Sequence, residues 1–263
     1  MKILFENYAL TSVITSLYTS ANYSPYNLVH IFLRKRYQNT AGVDTLTFMM
    51  PADKSVNCFY FGYHNALEAY RLTEDGEERV TEDGYTRSIS SAGMTITLKD
   101  YLGNTLYTET MLLIEQFYAL HFDTVEGVRS IEVSIDWTGV GAGYLGGVGF
   151  GMDYTMPDPI ANWQDGALDN SIVGESLTGQ VTQTRIEPLI DRTFNFAHVT
   201  REQYAAIKDY INAVGNGRPF WIDCFEGAQD LMIPMYARIM GGIQSPARED
   251  KKYSFTLNFR EAR

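Results

Sequence analysis

Only two of the 263 residues are cysteine, Cys58 and Cys224. They stand far apart and form no C-x-x-C pair, which excludes a disulfide framework and the common zinc and redox motifs. Both sit in apolar, strand-like runs, where a free cysteine behaves as a small core residue. Basic residues are scarce as well, 21 Lys and Arg against 32 Asp and Glu, for a formal net charge of -11. Such a surface is poorly suited to gripping phosphate backbones, so no specific nucleic-acid binding is expected. No run approaches the ~18 apolar residues of a membrane span. The opening "MKILFENYALTSVITSLYTS" is broken by Glu6 and Asn7 and makes a poor secretory signal. Synthesis in a cytoplasm, without membrane insertion, is the expectation.

Aromatic residues are abundant, with 18 Tyr and 14 Phe, and together with Val and Thr they favour strands. The C-terminal third carries the clearest patterns. "RTFNFAHV" (192–199) alternates Phe194, Phe196 and His198 with polar neighbours, the period of a half-buried strand. A helix follows over 200–214. Thr200 and Gln203 fit a capping box, Val199 and Tyr204 a hydrophobic staple, and Tyr204, Ile207, Ile211 and Val214 form one apolar face. Gly215 and Gly217 end it. "PFWIDCF" (219–225), "IPMYARIM" (233–240) and "KYSFTLNFR" (252–260) read as strands, the last with Tyr253, Phe255, Leu257 and Phe259 on one face. Strand, helix and three strands make an α+β unit with a helix covering an antiparallel sheet.

The first ~155 residues read as all-β, because turn signals recur between brief apolar runs. "TLTFMM", "VNCFYFGY", "MTITL" and "RSIEVSID" (129–136) are strand candidates, and "EDG" at 74–76 and 82–84 marks tight turns. "LVHIFLRKRYQ" fits either a short amphipathic helix or an irregular crossing. Residues 153–185 mix Pro, Gly, Asn and Asp with few apolar pairs and read as a long excursion joining two bodies.

The chemistry-bearing patterns are few. Gly141, Gly143 and Gly146 form a literal G-x-G-x-x-G, but no helix follows to meet a pyrophosphate, so backbone packing is the expected role. His30, His64, His121 and His198 are isolated in sequence, without the i, i+4 spacing of a helical zinc site. His64, among aromatics at a strand end, is the one to watch. "DGALDNS" (165–171) clusters oxygen ligands without EF-hand spacing, and reads as a solvated turn. Asp223, Cys224 and Glu226 follow a strand whose alternation sends them to different faces. No catalytic, cofactor or metal constellation emerges.

The order "RTFNFAHVT … helix … GNGRPFWID … YAR … YSFTLNFRE" resembles a minor or distal tail protein domain of long-tailed bacteriophages, over roughly 185–263. "SANYSPYNLVHIFLRKRYQN", "CFYFGYHNALEAYRL" and "IEVSIDW … GYLGGVGFG" are similar to galactose-binding-like jelly-roll modules of phage virion proteins, over about 1–155. The resemblances imply a mostly β chain: a β-sandwich over 1–155, a linker or arm over 156–184, and a sandwich with one helix over 185–263. They further imply a non-enzymatic virion component, at the tail tip or collar, that forms a ring of identical copies alongside other tail proteins. Candidate contacts are Pro157, Trp163, Asp165 and Asp169 on the arm and Gly215, Gly217 and Arg218 on the turn. The alternative is a carbohydrate-binding module contacting the host envelope, with Trp163 or exposed tyrosines stacking on sugar rings.

Overall fold

Two of the strands expected in the first half, "TLTFMM" and "VNCFYFGY", belong to one strand of unusual length. In a computed structural model, which describes residues 1–16, 23–29, 37–38, 42–64, 93–113, 117–137, 143–160, 164–168, 172–175, 181–184, 189–215, 218–224, 234–249 and 251–262, the chain divides into two units. One is Leu4–Tyr154. The other joins Met1–Ile3 to Thr155–Arg263. The assignment of the first three residues to the second unit is not visible in sequence. The fold is mostly β, antiparallel in every described pairing, with one α-helix among the described residues.

The N-terminal unit holds β1 (Lys2–Asn7, from Leu4 onward), β2 (Val13–Ser16), β3 (Tyr37–Gln38), β4 (Val43–His64), β5 (Gly93–Lys99), β6 (Thr105–Leu112), β7 (Phe117–Asp136) and β8 (Tyr144–Thr155). "TLTFMM" and "VNCFYFGY" both lie in β4, and "RSIEVSID" is the end of β7. These two strands pair from Val43 opposite Asp136 to Gly62 opposite Phe117, with the register broken between Met49 and Cys58. Pro51 sits in that break, where a missing N–H is tolerated. Before the break Leu46, Phe48 and Met50 face the core; after it Phe59 and Phe61 do. The extra residues change the parity of the pattern.

The first half of β4 is flanked by β2 and β7, and β7 continues outward to β5 and β6. The second half is flanked by β7 and β8. Phe150 on β8 stacks on Phe59 (6.3 Å between ring centroids) and meets Phe48 edge-on (5.3 Å). Both halves of one strand therefore wall the same core. Trp137, 2 % exposed, closes it. The glycine run of the sequence explains itself here. A Cβ on Gly143 would lie 2.2 Å from the Trp137 indole, and one on Gly151 would lie 1.8 Å from the Glu6 carbonyl oxygen. Gly146 is buried within β8 and Gly141 lies outside the described residues. These glycines serve close packing.

The C-terminal unit contains β9 (Gln164–Leu168), β10 (Ile172–Glu175), β11 (Val181–Thr184), β12 (Leu189–Val199), α1 (Arg201–Val214), β13 (Phe220–Asp223), β14 (Met235–Ile239), β15 (Gln244–Glu249) and β16 (Lys252–Glu261). The sheet order is β13-β14-β16-β12-β9, with β15 on β16 and the start of β1 beside β13. The helix begins as expected: the Thr200 hydroxyl accepts from the Gln203 N–H and the Gln203 side chain accepts from the Thr200 N–H. It lies on the sheet through aromatics. Tyr204 stacks on Tyr253 (4.4 Å), and Tyr210 meets Phe220 edge-on (5.5 Å). Ile207, Tyr210 and Ile211 are its buried residues, so Tyr210 joins the face and Val214 stands at its margin.

Two expectations are corrected. The excursion over 153–185 is not a bare arm: β9 pairs with β12 along Gln164–Leu168, and β10 pairs with β11. Backbone pairing compensates there for the shortage of apolar side chains. In β12, His198 does not continue the buried row of Phe194 and Phe196. It is exposed with φ 60°, and the irregularity after Phe196 turns Val199 inward instead.

Candidate functional site

The outward side of β4, β7 and β5 carries polar residues, because their alternate positions fill the core. Phe48, Ile131, Val133, Ile96 and Leu98 point in; Thr47, Met49, Ser130, Glu132 and Lys99 line the other side. The register sets Thr47 opposite Glu132, Met49 opposite Ser130 and Lys99 opposite Ser130. Together with Asp53 from the irregular stretch of β4, Arg129 of β7 and the β5–β6 turn, they enclose a groove of about 750 Å³. That is a size suited to a small ligand.

The turn is built by Asp100. Its Oδ1 accepts from the Leu102 and Asn104 backbone N–H groups at 2.8 Å each, and its Oδ2 accepts from Asn104 Nδ2 at 2.8 Å. Gly103 supplies φ 85°, a conformation that other residues adopt only with strain. The result holds Tyr101 and Leu102 out, 70 % and 68 % exposed. Hydrogen bonding by Asn104, with backbone N–H bonds behind it, lowers the Asp100 pKa from the usual carboxylate value. A depressed carboxylate stabilises the turn fully above its unfolded pKa, about 3.9, and loses that contribution as pH falls through the folded value. The amide NMR shifts of Leu102 and Asn104 are therefore expected to hold from neutral pH down to about 4 and to move only below it.

Two ion pairs lie across the groove. Lys99 Nζ is 2.6 Å from Glu132 Oε2, and Arg129 Nη1 is 3.7 Å from Asp53 Oδ1. The groove thus presents paired donors and acceptors beside an exposed aromatic ring, a set that hydrogen-bonds and stacks. No nucleophile–base pair is among its described lining residues.

A second polar cluster lies elsewhere in the unit. His121 Nδ1 is 2.9 Å from Asp153 Oδ2, with side chains 7 % and 6 % exposed. Asn57 Nδ2 donates to Asp153 Oδ1 and Asn57 Oδ1 accepts from the Asp153 N–H, both at 2.9 Å. The Tyr60 ring meets the imidazole edge-on at 5.6 Å. The cluster ties β4, β7 and β8 across their width. His121 is isolated in sequence; its partner stands on β8, on the far side of β4, and only the strand order brings the two together.

The other sequence candidates do not converge. His64 ends β4 with its backbone opposite Leu145. Asp223 and Cys224 are both buried, and Arg192 Nη1 lies 3.8 Å from the Cys224 Sγ. Burial outweighs that guanidinium and raises the thiol pKa to about 11, so the thiolate is scarce near neutral pH. Glu226, His30, Trp163, Asp169 and Gly217 lie outside the described residues. Pro157 is half-buried, the backbone of Asp165 in β9 stands opposite that of Arg192, Gly215 ends α1 and Arg218 is exposed. Among the described residues no three His, Cys, Asp or Glu side chains gather as a metal site, and no helix is long and apolar enough to cross a membrane.

No family model matches the chain, and no curated protein matches it. Several solved structures are similar over part of it. The lectin domain of Lectinolysin bound to Lewis b (a His 62 mutant) shares 11 % identity, covering 56 % of this chain and 96 % of its own, with a TM-score of 0.40. A Streptococcus pneumoniae fucose binding module shares 15 % identity over 55 % and 94 %, with a TM-score of 0.39. A pectin binding carbohydrate binding module shares 11 % over 55 % and 93 %, with a TM-score of 0.40. A likeness of that depth assigns neither a family nor a ligand to this chain.

Proposed function

We propose that the N-terminal unit is a glycan-binding module and that the chain acts without catalysis. The observation that carries this reading is the groove beneath the β5–β6 turn, where the exposed Tyr101 ring stands beside the Lys99–Glu132 and Arg129–Asp53 pairs. Sugars offer an apolar C–H face to an aromatic ring and hydroxyls to charged side chains, and this combination serves both. A labelled sample of the full chain is expected to bind a subset of a glycan array, and Tyr101→Ala to weaken binding about tenfold or more, the equivalent of about 1.4 kcal/mol. Binding that survives Tyr101→Ala would overturn the groove as the site. Loss only with Trp163→Ala would move it to the 156–184 segment.

A second reading concerns the C-terminal unit. Its strand–helix–strand order and its aromatic packing of α1 on the sheet agree with the resemblance to bacteriophage tail proteins. We infer a virion component, made in the host cytoplasm and built into the tail as a ring of copies, with the glycan-binding unit directed at the host envelope. Rings need a head-to-tail interface that closes, for which exposed Arg218 beside the end of α1 is a candidate contact. Electron microscopy of the purified chain is expected to show closed rings; a strictly monomeric particle at all concentrations would overturn this reading.

A further inference from the structure

We infer that the groove takes an uncharged sugar, in preference to a uronic acid or an amino sugar; this rests on the glycan-binding reading. Each cation in the groove already faces a carboxylate: Lys99 lies 2.6 Å from Glu132, and Arg129 lies 3.7 Å from Asp53. The remaining carboxylate, Asp100, spends both oxygens on its own turn. A ligand carboxylate that reached Lys99 or Arg129 would sit beside Glu132 or Asp53, which already offsets that cation and would repel the newcomer. The chain's net charge of -11 adds a field that opposes it. A ligand ammonium that reached Glu132 or Asp53 would in the same way be repelled by Lys99 or Arg129.

A neutral diol meets no such conflict. One hydroxyl accepts from the Arg129 guanidinium, which has five N–H donors in a fixed fork, while its neighbour donates to Asp53. The pair separation of 3.7 Å, longer than a direct hydrogen bond, leaves that bridging geometry open. Tyr101, 70 % exposed, supplies the stacking surface.

The test is calorimetric titration of the full chain with neutral, uronic-acid-containing and amino-sugar oligosaccharides, each at about 50 and about 500 mM NaCl, a range over which screening becomes strong. Tyr101→Ala and Arg129→Gln serve as groove variants, with folding checked by thermal melts. Neutral oligosaccharides are expected to bind, to change affinity less than about twofold with salt, and to lose about tenfold or more in either variant. Preferential binding of a charged sugar that falls steeply with salt, and is lost in both variants, would overturn the neutral preference and leave glycan binding standing. Absence of binding to every sugar, or binding unaltered by both variants, would overturn both.

Discussion

Replacing Gly151 by alanine is expected to destabilise the N-terminal unit by on the order of 4 kcal/mol or more, the range of severe core lesions. Gly151 has φ 151°, and its added methyl would lie 1.8 Å from the Glu6 carbonyl oxygen and 3.3 Å from the Tyr8 ring. A backbone oxygen cannot rotate away as a side chain would, so β8 or β1 must move. The unit's melting temperature should fall by roughly 10 °C or more. Gly103→Ala is the control. That glycine also has positive φ, 85°, but nothing lies within 4 Å of its added methyl, and a cost of about 1–2 kcal/mol is expected from backbone strain alone. Equal losses in the two variants would show that conformation, not the close approach to Glu6, governs the site.

The second large effect is expected from Asp153→Ala. The carboxylate is the acceptor shared by Asn57 and His121 in an almost enclosed position. Its removal takes that acceptor from two side chains at once, at about 1–3 kcal/mol for each buried group left unsatisfied. A total near 3 kcal/mol should appear as a lower urea midpoint with an unchanged denaturant slope. Asp153→Asn keeps the shape and one acceptor oxygen and should lose about half as much. A loss below about 0.5 kcal/mol would match an ordinary surface position and would refute the role of the cluster in tying the three strands together.

Features specified by neighbours in sequence were legible; those specified by strand register were not. The helix declared itself because Thr200 and Gln203 cap each other across three residues and its apolar face repeats locally. β16 did so because Phe255, Leu257 and Phe259 alternate without interruption. β4 did not, since the parity change between Met50 and Phe59 makes one strand read as two. His121 and Asp153 lie 32 positions apart and meet only because β7 and β8 both flank β4. The groove is assembled from ordinary surface residues of three strands, each unremarked alone. One local signal did point to it: the run from Asp100 to Asn104 has a side-chain acceptor, a glycine and two apolar residues at a strand junction, a hairpin turn with an oddly hydrophobic tip.

The pairing of Lys2 with Asp223 and Ile3 with Ile222 has a consequence for how the chain is made. These residues are synthesised more than two hundred positions ahead of their partner strand and wait until it exists. Until then β13's future neighbour is an unclaimed ribbon, and a fragment beginning at residue 155 would present the matching vacancy permanently. Such a fragment is expected to stick to itself along that border, whereas supplying the first few residues as a separate peptide should keep it dispersed.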